Sequence, residues 1–479
     1  MKSLVGQAGM KVDSPRKIQS VRLLRLIALV FAVIPGIAPK AQAISFNFNY
    51  APNTSPDVVQ GFNDAAGLWS SLIDDDVTIN VDVGFSPIAS GSLGQFNPSR
   101  INVDYQTFSD ALWSDVKSLD DAIASSNLPS GARFDMLVDS EFDLLINGTR
   151  NNPSGIGSLD ASLDNDGDCN NRAVRLTTAN AKALKLPTTT TTNCSPGGGV
   201  TAQTSASDGA IILNNTFAWD YDASNGIAPG TFDFVGLATQ GIGTLLGFVS
   251  GVDVLDFNSP QTQNDGSVVY FNDDQFPFVS PIDLFRFSPD SCDASLRSVD
   301  RNTGEQQNII DWTTGRTDEL GHEVRKFFSI DGCQTEIAEF STGLRNGDGQ
   351  RAGSWKADEL TGQYLGIMEP SPSEGQLFEF TRNDQRAFDV IGWDLVDPSL
   401  PPPMRNIEID PPPDNGGSDD GGSDDGGSDD GGSDGSDGSD GSDNPSVSVP
   451  EPSTMSGLVA MTAAGAVVAI AKRKRLSEK

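Results

Sequence analysis

The run TFDFVGLATQGIGTLLGFVSGVD, from Thr231 to Asp253, decides how the rest of the chain is read. Thr231 carries a hydroxyl suited to capping a helix, and Phe234, Val235, Leu237, Ala238, Leu245, Leu246 and Phe248 then occupy most of the helical circumference. A helix apolar nearly all round belongs in a core, and this one also carries four glycines before Phe248. Its centre, Gln240-Gly241-Ile242-Gly243-Thr244, holds the polar side chains that remain.

Upstream, two periodicities alternate. Ile44 to Tyr50 and Val77 to Val83 alternate apolar with polar residues, which predicts half-buried strands. Between them, Ser55 and Pro56 open a helix whose apolar face carries Val58, Val59, Phe62, Ala65, Ala66, Leu68 and Trp69. One further helix is predicted over Phe108 to Ser126, with short strands at Phe134–Val138 and Ala210–Leu213. Strand, helix, strand, helix, strand indicates an α+β body with a mixed sheet over residues 44–397.

The Thr231 run resembles the site helix of secreted bacterial zincin metallopeptidases, which reads Ala-Thr-His-Glu-Ile-Gly-His-x-Leu-Gly-Phe-x-Ser-Gly-Val-Asp. The likeness continues in order downstream. Ser280-Pro281-Ile282-Asp283-Leu284-Phe285-Arg286-Phe287-Ser288 is similar to the family's next segment, and Gly349 to Lys356 to one that usually reads Ala-Ser-His-Trp, with Ser354 in the histidine's place. Gly366-Ile367-Met368-Glu369-Pro370 resembles the turn whose methionine lies beneath the metal, and Asp384 to Asp394 the closing helix and strand. The resemblance implies a zincin-like body around a central site helix.

It also implies a lost site. In the family motif two histidines at i and i+4 hold zinc, and the glutamate after the first is the base for the attacking water. Here those positions are Gln240, Thr244 and Gly241, and the chain's single histidine excludes any ligand set of two imidazoles. Without zinc to acidify water and without a base, no zinc hydrolysis is expected, so the catalytic residues are none and the zinc ligands none. The expected role is non-catalytic: binding a peptide or polysaccharide, or serving in the extracellular matrix. The alternative is an active metalloendopeptidase with atypical ligands, for which Asp253, Asp256, Asp283 and Glu369 are the available carboxylates. His322 stands alone in a polar stretch and receives no role, and neither Asp-Thr-Gly nor Gly-x-Ser-x-Gly occurs.

Composition bounds the partners. With 66 acidic residues against 32 basic and a formal charge of -34 over 479 residues, the chain suits cations and not nucleic acid. Asp164-Asn165-Asp166-Gly167-Asp168 spaces three carboxylates on alternate residues around a turn glycine, as a calcium loop begins. The twelfth position is Arg175 where such a loop needs a bidentate glutamate, so a solvated loop is the competing reading. Four cysteines allow three connectivities, of which chain proximity favours Cys169–Cys194 with Cys292–Cys333.

Both ends read as targeting segments. Residues 1–43 carry a basic region, the apolar run Leu26 to Ala38 and Ala41-Gln42-Ala43, the layout of a secretory signal peptide. Residues 398–448 are a linker rich in Pro, Gly, Ser and Asp, expected to be disordered and extended. Residues 449–479 hold Pro450-Glu451-Pro452, the uncharged stretch Met455 to Ala471 and a Lys/Arg cluster, a stop-transfer arrangement. That order resembles the PEP-CTERM sorting signal of Gram-negative bacteria. It implies transient anchoring in the inner membrane by a C-terminal helix, an exosortase as partner, and a final place in the envelope or outside the cell.

Overall fold

The computed structural model describes residues 43–405, apart from 90, 130, 133–136, 139–140, 151–159, 193, 195–205, 259–260, 263–267, 270, 294–307, 319 and 371. Nearly all of the expected leader, the acidic repeats with Pro450, Glu451 and Pro452, and the apolar tail lie outside these residues. Among the described residues no helix is long and apolar enough to cross a membrane.

Strand β1 (Ser45–Tyr50), helix α1 (Pro56–Leu72) and strand β2 (Thr78–Phe85) form a parallel crossover unit, with Ser45 opposite Thr78 and Tyr50 opposite Val83. The alternation expected of β1 is physical: Phe46, Phe48 and Tyr50 are half-buried, and Phe48 and Tyr50 lie against Phe62 of α1. The opposite face is solvated, where Asn47 Nδ2 donates to Asn80 Oδ1 at 3.0 Å and Asn49 Nδ2 to Asp82 Oδ1 at 2.8 Å. Ser55 caps α1 and Pro56 opens it, and Val58, Phe62, Ala65, Trp69 and Leu72 form its buried stripe.

β3 (Gly94–Pro98), β4 (Arg100–Asp104), β5 (Ala173–Thr177) and β6 (Gly209–Leu213) follow. The main sheet has the order β1-β2-β6-β3: β6 runs parallel to β2, while β3 is an antiparallel edge with Leu213 opposite Gly94. β4 and β5 make a separate antiparallel pair, and β5 runs directly into α4 (Thr178–Ala183), capped by Thr177. The single helix expected over Phe108 to Ser126 is two, α2 (Tyr105–Asp115) and α3 (Leu119–Ser126). The break is a capping box, in which Ser118 accepts from Asp121 N and the Asp121 carboxylate accepts from Ser118 N, so the chain restarts there instead of continuing. Of the strand expected over Phe134–Val138, Leu137–Val138 pairs with Gly131–Ala132, and the remainder lies outside the described residues.

The decisive helix is α5 (Phe234–Leu246), with α6 (Val252–Asn258) close behind. Its cap is Asp233 and not Thr231: Asp233 Oδ1 accepts from Gly236 N at 2.9 Å, whereas the Thr231 hydroxyl donates to Ala228 O. Every residue of α5 except Thr244 is buried, between α1 on one side and β3 and β6 on another. Trp69 Nε1 of α1 donates to Thr239 O at 2.9 Å, and a Cβ on Gly61 would lie 2.5 Å from the Phe234 ring, so glycine there sets the spacing between the two helices. Gly247, at φ +125°, ends α5 in a conformation only glycine adopts freely. The later chain adds a small antiparallel sheet of β7 (Arg286–Phe287), β8 (Lys326–Phe328) and β9 (Ala338–Phe340), the single turn α7 (Asp358–Thr361), and α8 (Arg382–Val390), which packs on α3. The described body is thus a mixed α and β architecture with eight α-helices.

Candidate functional site

The segments singled out in the sequence meet around α5. Gln240 is buried and its Nε2 donates to Glu369 O, which ties the helix to the turn at Gly366–Pro370. Thr244 Oγ1 donates back to Gln240 O at 3.2 Å and takes no partner across the helix. Met368 lies beneath: a Cβ on Gly243 would stand 2.7 Å from its Sδ and 3.0 Å from Trp69 Cζ2. A Cβ on Gly241 would stand 2.8 Å from Phe96 Cε1, because the ring from the edge strand β3 covers that face of the helix.

Ser354 joins through its neighbours. Its hydroxyl donates to Arg351 O at 2.6 Å, while Trp355 N donates to Met368 O at 3.0 Å and Trp355 Nε1 to Asp384 Oδ1 at 2.8 Å. Asp384 Oδ2 accepts from Ile367 N and Thr381 N, so one buried carboxylate at the start of α8 fastens the 366–370 turn. Burial pushes Asp384 up to about 6 against the pull of these hydrogen bonds.

The carboxylates available to replace histidine are committed elsewhere. Asp283 accepts from Ser250 Oγ, Gly251 N and Ser280 N, and Asp256 from Arg345 N and Asn346 N. Asp253 accepts from Ala352 N at 2.8 Å, and burial pushes it up to about 6. Glu369, raised to about 7 by burial, accepts from Leu365 N beside its own turn and from Asp358 N at the start of α7. These groups shape loops. Among the described residues no set of three His, Cys, Asp or Glu side chains converges as a finished metal cage. The only histidine, His322, is exposed and lies 3.5 Å from Asp318.

Two features lie apart from α5. The first is a cavity of about 640 Å³ whose wall includes Arg316, Glu323, Asp348, Lys356 and Leu360, and which starts one residue beyond Trp355. Lys356 Nζ lies 2.8 Å from Glu323 Oε2 within it. Residue patterning carries no signal for it, because its lining comes from four separated loops. The second is the acidic loop. Asp164 is fully buried and raised to about 7, first by burial and then by the charge of Asp273, while Asp168 is raised to about 9 by burial and a hydrogen bond with Asp274. Asp166 Oδ1 accepts from Asp168 N at 3.0 Å. Asp273 and Asp274 were invisible as partners in the sequence, since nothing local links them to a loop more than a hundred residues earlier.

Cys169 is bonded to Cys194 and Cys292 to Cys333, and among the described residues no cysteine is free. Paired cysteines fit an oxidising compartment. No protein-family model, no curated protein and no solved structure matches this chain, so its site is read from its own residues.

Proposed function

We propose that this is an exported bacterial surface or matrix protein with a zincin-derived body that binds and does not cut. The carrying observation is the closure of α5 where a catalytic glutamate would have to project: Phe96 stands at the Cβ position of Gly241, and the Gln240 amide is spent on Glu369 O. Descent from the zincins is supported by the meeting of α5, the Ser354–Trp355 segment, the Met368 turn and α8, four stretches first grouped by resemblance alone. Export is supported by the disulfides together with the leader-like and PEP-CTERM-like ends; an exosortase would be the sorting partner. The mixed-charge cavity beside Lys356 is the place we assign to a polar peptide or polysaccharide.

The test is the metal content of the full chain, measured by elemental mass spectrometry after dialysis, beside hydrolysis of a casein substrate. No zinc and no cleavage are expected. Stoichiometric zinc with chelator-sensitive cleavage would overturn the proposal in favour of a metalloendopeptidase with atypical ligands. A complementary variant, Gln240→His with Gly241→Glu, Thr244→His and Phe96→Ala, should gain zinc; no gain in a folded variant would remove Gln240 and Thr244 from the ligand positions.

A further inference from the structure

The loop after Asp164 and the turn at Asp273–Gln275 face each other with oxygens that nothing in the protein satisfies. Asp164 Oδ1, Asn170 Oδ1 and Asp273 Oδ2 are buried and have no hydrogen-bond partner, and their residues are 0%, 0% and 5% exposed. The Asn170 oxygen can only accept, and the two carboxylate oxygens only accept when ionised. An acceptor left bare in the interior is destabilising, so three in one neighbourhood ask for a common partner.

The donors nearby are already used. Asn170 Nδ2 donates to Asp164 Oδ2 at 2.7 Å, Asn170 N to Asp168 Oδ1, and Asp274 N to Asp273 Oδ1. These bonds orient the loops and leave the bare oxygens over. Asp273 is the charge acting most strongly on Asp164, so the unpartnered oxygens of these two residues share one neighbourhood. Alongside them the carboxyls of Asp168 and Asp274 come within hydrogen-bonding reach, a contact that two carboxyls make by sharing a proton or a cation. Arg172 does not supply it, since it turns to Glu141 at 3.5 Å and to Gly167 O at 3.4 Å.

We propose that Asp164, Asp166, Asp168, Asn170, Asp273 and Asp274 form a site for one hard divalent cation, calcium, which draws the disulfide-bonded loop onto the turn at Asp273–Gln275. The donor set is all oxygen, with neither nitrogen nor sulfur, and its size fits the six to eight oxygens that calcium takes. Asp273 and Asp274 take the place of the acidic residue missing at position twelve of the loop, where Arg175 instead lies over the Phe278 ring. As they stand, no three of these carboxylates are placed to hold a metal ion, so binding requires them to move together. Its occupancy joins the Cys169–Cys194 loop to the segment leading to Val279, whose carbonyl accepts from Arg175 N of β5. The proposal is independent of the fate of α5.

The test is differential scanning fluorimetry and isothermal titration calorimetry on the full chain, stripped with chelator, against calcium and magnesium. Calcium in the millimolar range typical of extracellular sites should bind once per chain and raise Tm by a few degrees, with magnesium much weaker. Asp164→Asn with Asp273→Asn should abolish the shift. Asp274→Asn, at an exposed position that the core does not need, should weaken calcium several-fold and keep the far-UV spectrum of the parent. Calcium taken up by the aspartate repeats at 416–443 would survive all three substitutions and leave Tm unmoved. No rise in Tm, or a rise untouched by Asp274→Asn, overturns the site.

Discussion

Gly241→Ala places one methyl group where the Phe96 ring already stands. The new Cβ would lie 2.8 Å from Phe96 Cε1, 3.0 Å from Cδ1 and 3.3 Å from Ile211 Cγ2, all shorter than ordinary carbon contacts. In an unobstructed helix interior alanine is better than glycine by about 1 kcal/mol. Forcing a methylene into a filled core costs about 1–3 kcal/mol, so the net expectation is a loss of roughly 0–2 kcal/mol. Phe96→Ala on the half-buried edge strand should cost less than the 3–5 kcal/mol of a fully buried phenylalanine, and in its presence Gly241→Ala should recover its propensity gain of about 1 kcal/mol. The two substitutions should therefore couple by about 1–3 kcal/mol. Urea unfolding followed by tryptophan fluorescence, with all four members of the cycle, measures this directly. A Gly241→Ala protein stabilised by about 1 kcal/mol, with no coupling to Phe96, would mean the helix face is open and would refute the closure on which the non-catalytic reading stands.

Two further outcomes follow from buried charge. Lys326 and Asp311 are both wholly buried and 2.7 Å apart; burial opposes ionisation of Asp311, but Lys326 and Arg316 outweigh it and hold the carboxyl well below its usual range. Lys326→Met should cost about 3–5 kcal/mol in urea, and adding Asp311→Asn should recover a large part; equal loss in the single and double variants would contradict the pairing. Around α3 and α8, burial raises Asp389 to about 8, Asp75 to about 7 and Asp115 to about 6, with Asp121 also raising Asp389 and Ser118 opposing it through a 2.6 Å hydrogen bond. The unfolded chain releases these protons near pH 4 while the folded protein keeps them, so these groups make stability fall as pH rises from about 4 to 8. Asp389→Asn should flatten that fall and be more stable than the parent at pH 8; an unchanged slope of the urea midpoint against pH would show that Asp389 is ionised throughout.

The parts of the fold legible in the sequence are those set by one face of one element. The alternation at Phe46, Phe48 and Tyr50, the Ser55 cap with Pro56, and the stripe from Val58 to Trp69 all follow from local spacing. Local pattern failed where a distant partner decided the outcome. Asp233 became the cap of α5 instead of Thr231 because its carboxylate also accepts from Phe378 N and meets Arg405, residues 145 and 172 positions further along the chain. The break at Ser118 was written in Ser118 and Asp121, but the apolar periodicity on either side of it concealed the capping box. The candidate site divides the same way: the substitutions at Gln240, Gly241, Thr244 and Ser354 were readable, whereas Phe96 over Gly241 and Asp273 beside Asp164 join residues far apart in sequence.

The glycines of α5 explain how a helix with so little polar business can remain at the centre of the fold. Cβ atoms on Gly236, Gly241 and Gly243 would meet Phe378, Phe96 and Met368 at 2.6, 2.8 and 2.7 Å, so each missing side chain is matched by a large one arriving from another part of the chain. The helix is consequently held by packing on three sides, by the hydrogen bond from Gln240 to the Met368 turn and by indole donors from Trp69 and Trp393 to its carbonyls. Such an arrangement needs no ion for its integrity, because apolar contact and a satisfied buried amide already fasten α5 to its neighbours. The loop at Asp164 is the reverse case, with its hydrogen bonds internal and its leftover oxygens bare. Chelation should therefore cost the Cys169–Cys194 loop more protection than the α5 core, which amide exchange at Asn170 and Asn171 compared with Thr239 and Gln240 would resolve. Equal loss of protection in both regions would mean that the two are one cooperative unit and that a cation bears on the whole body.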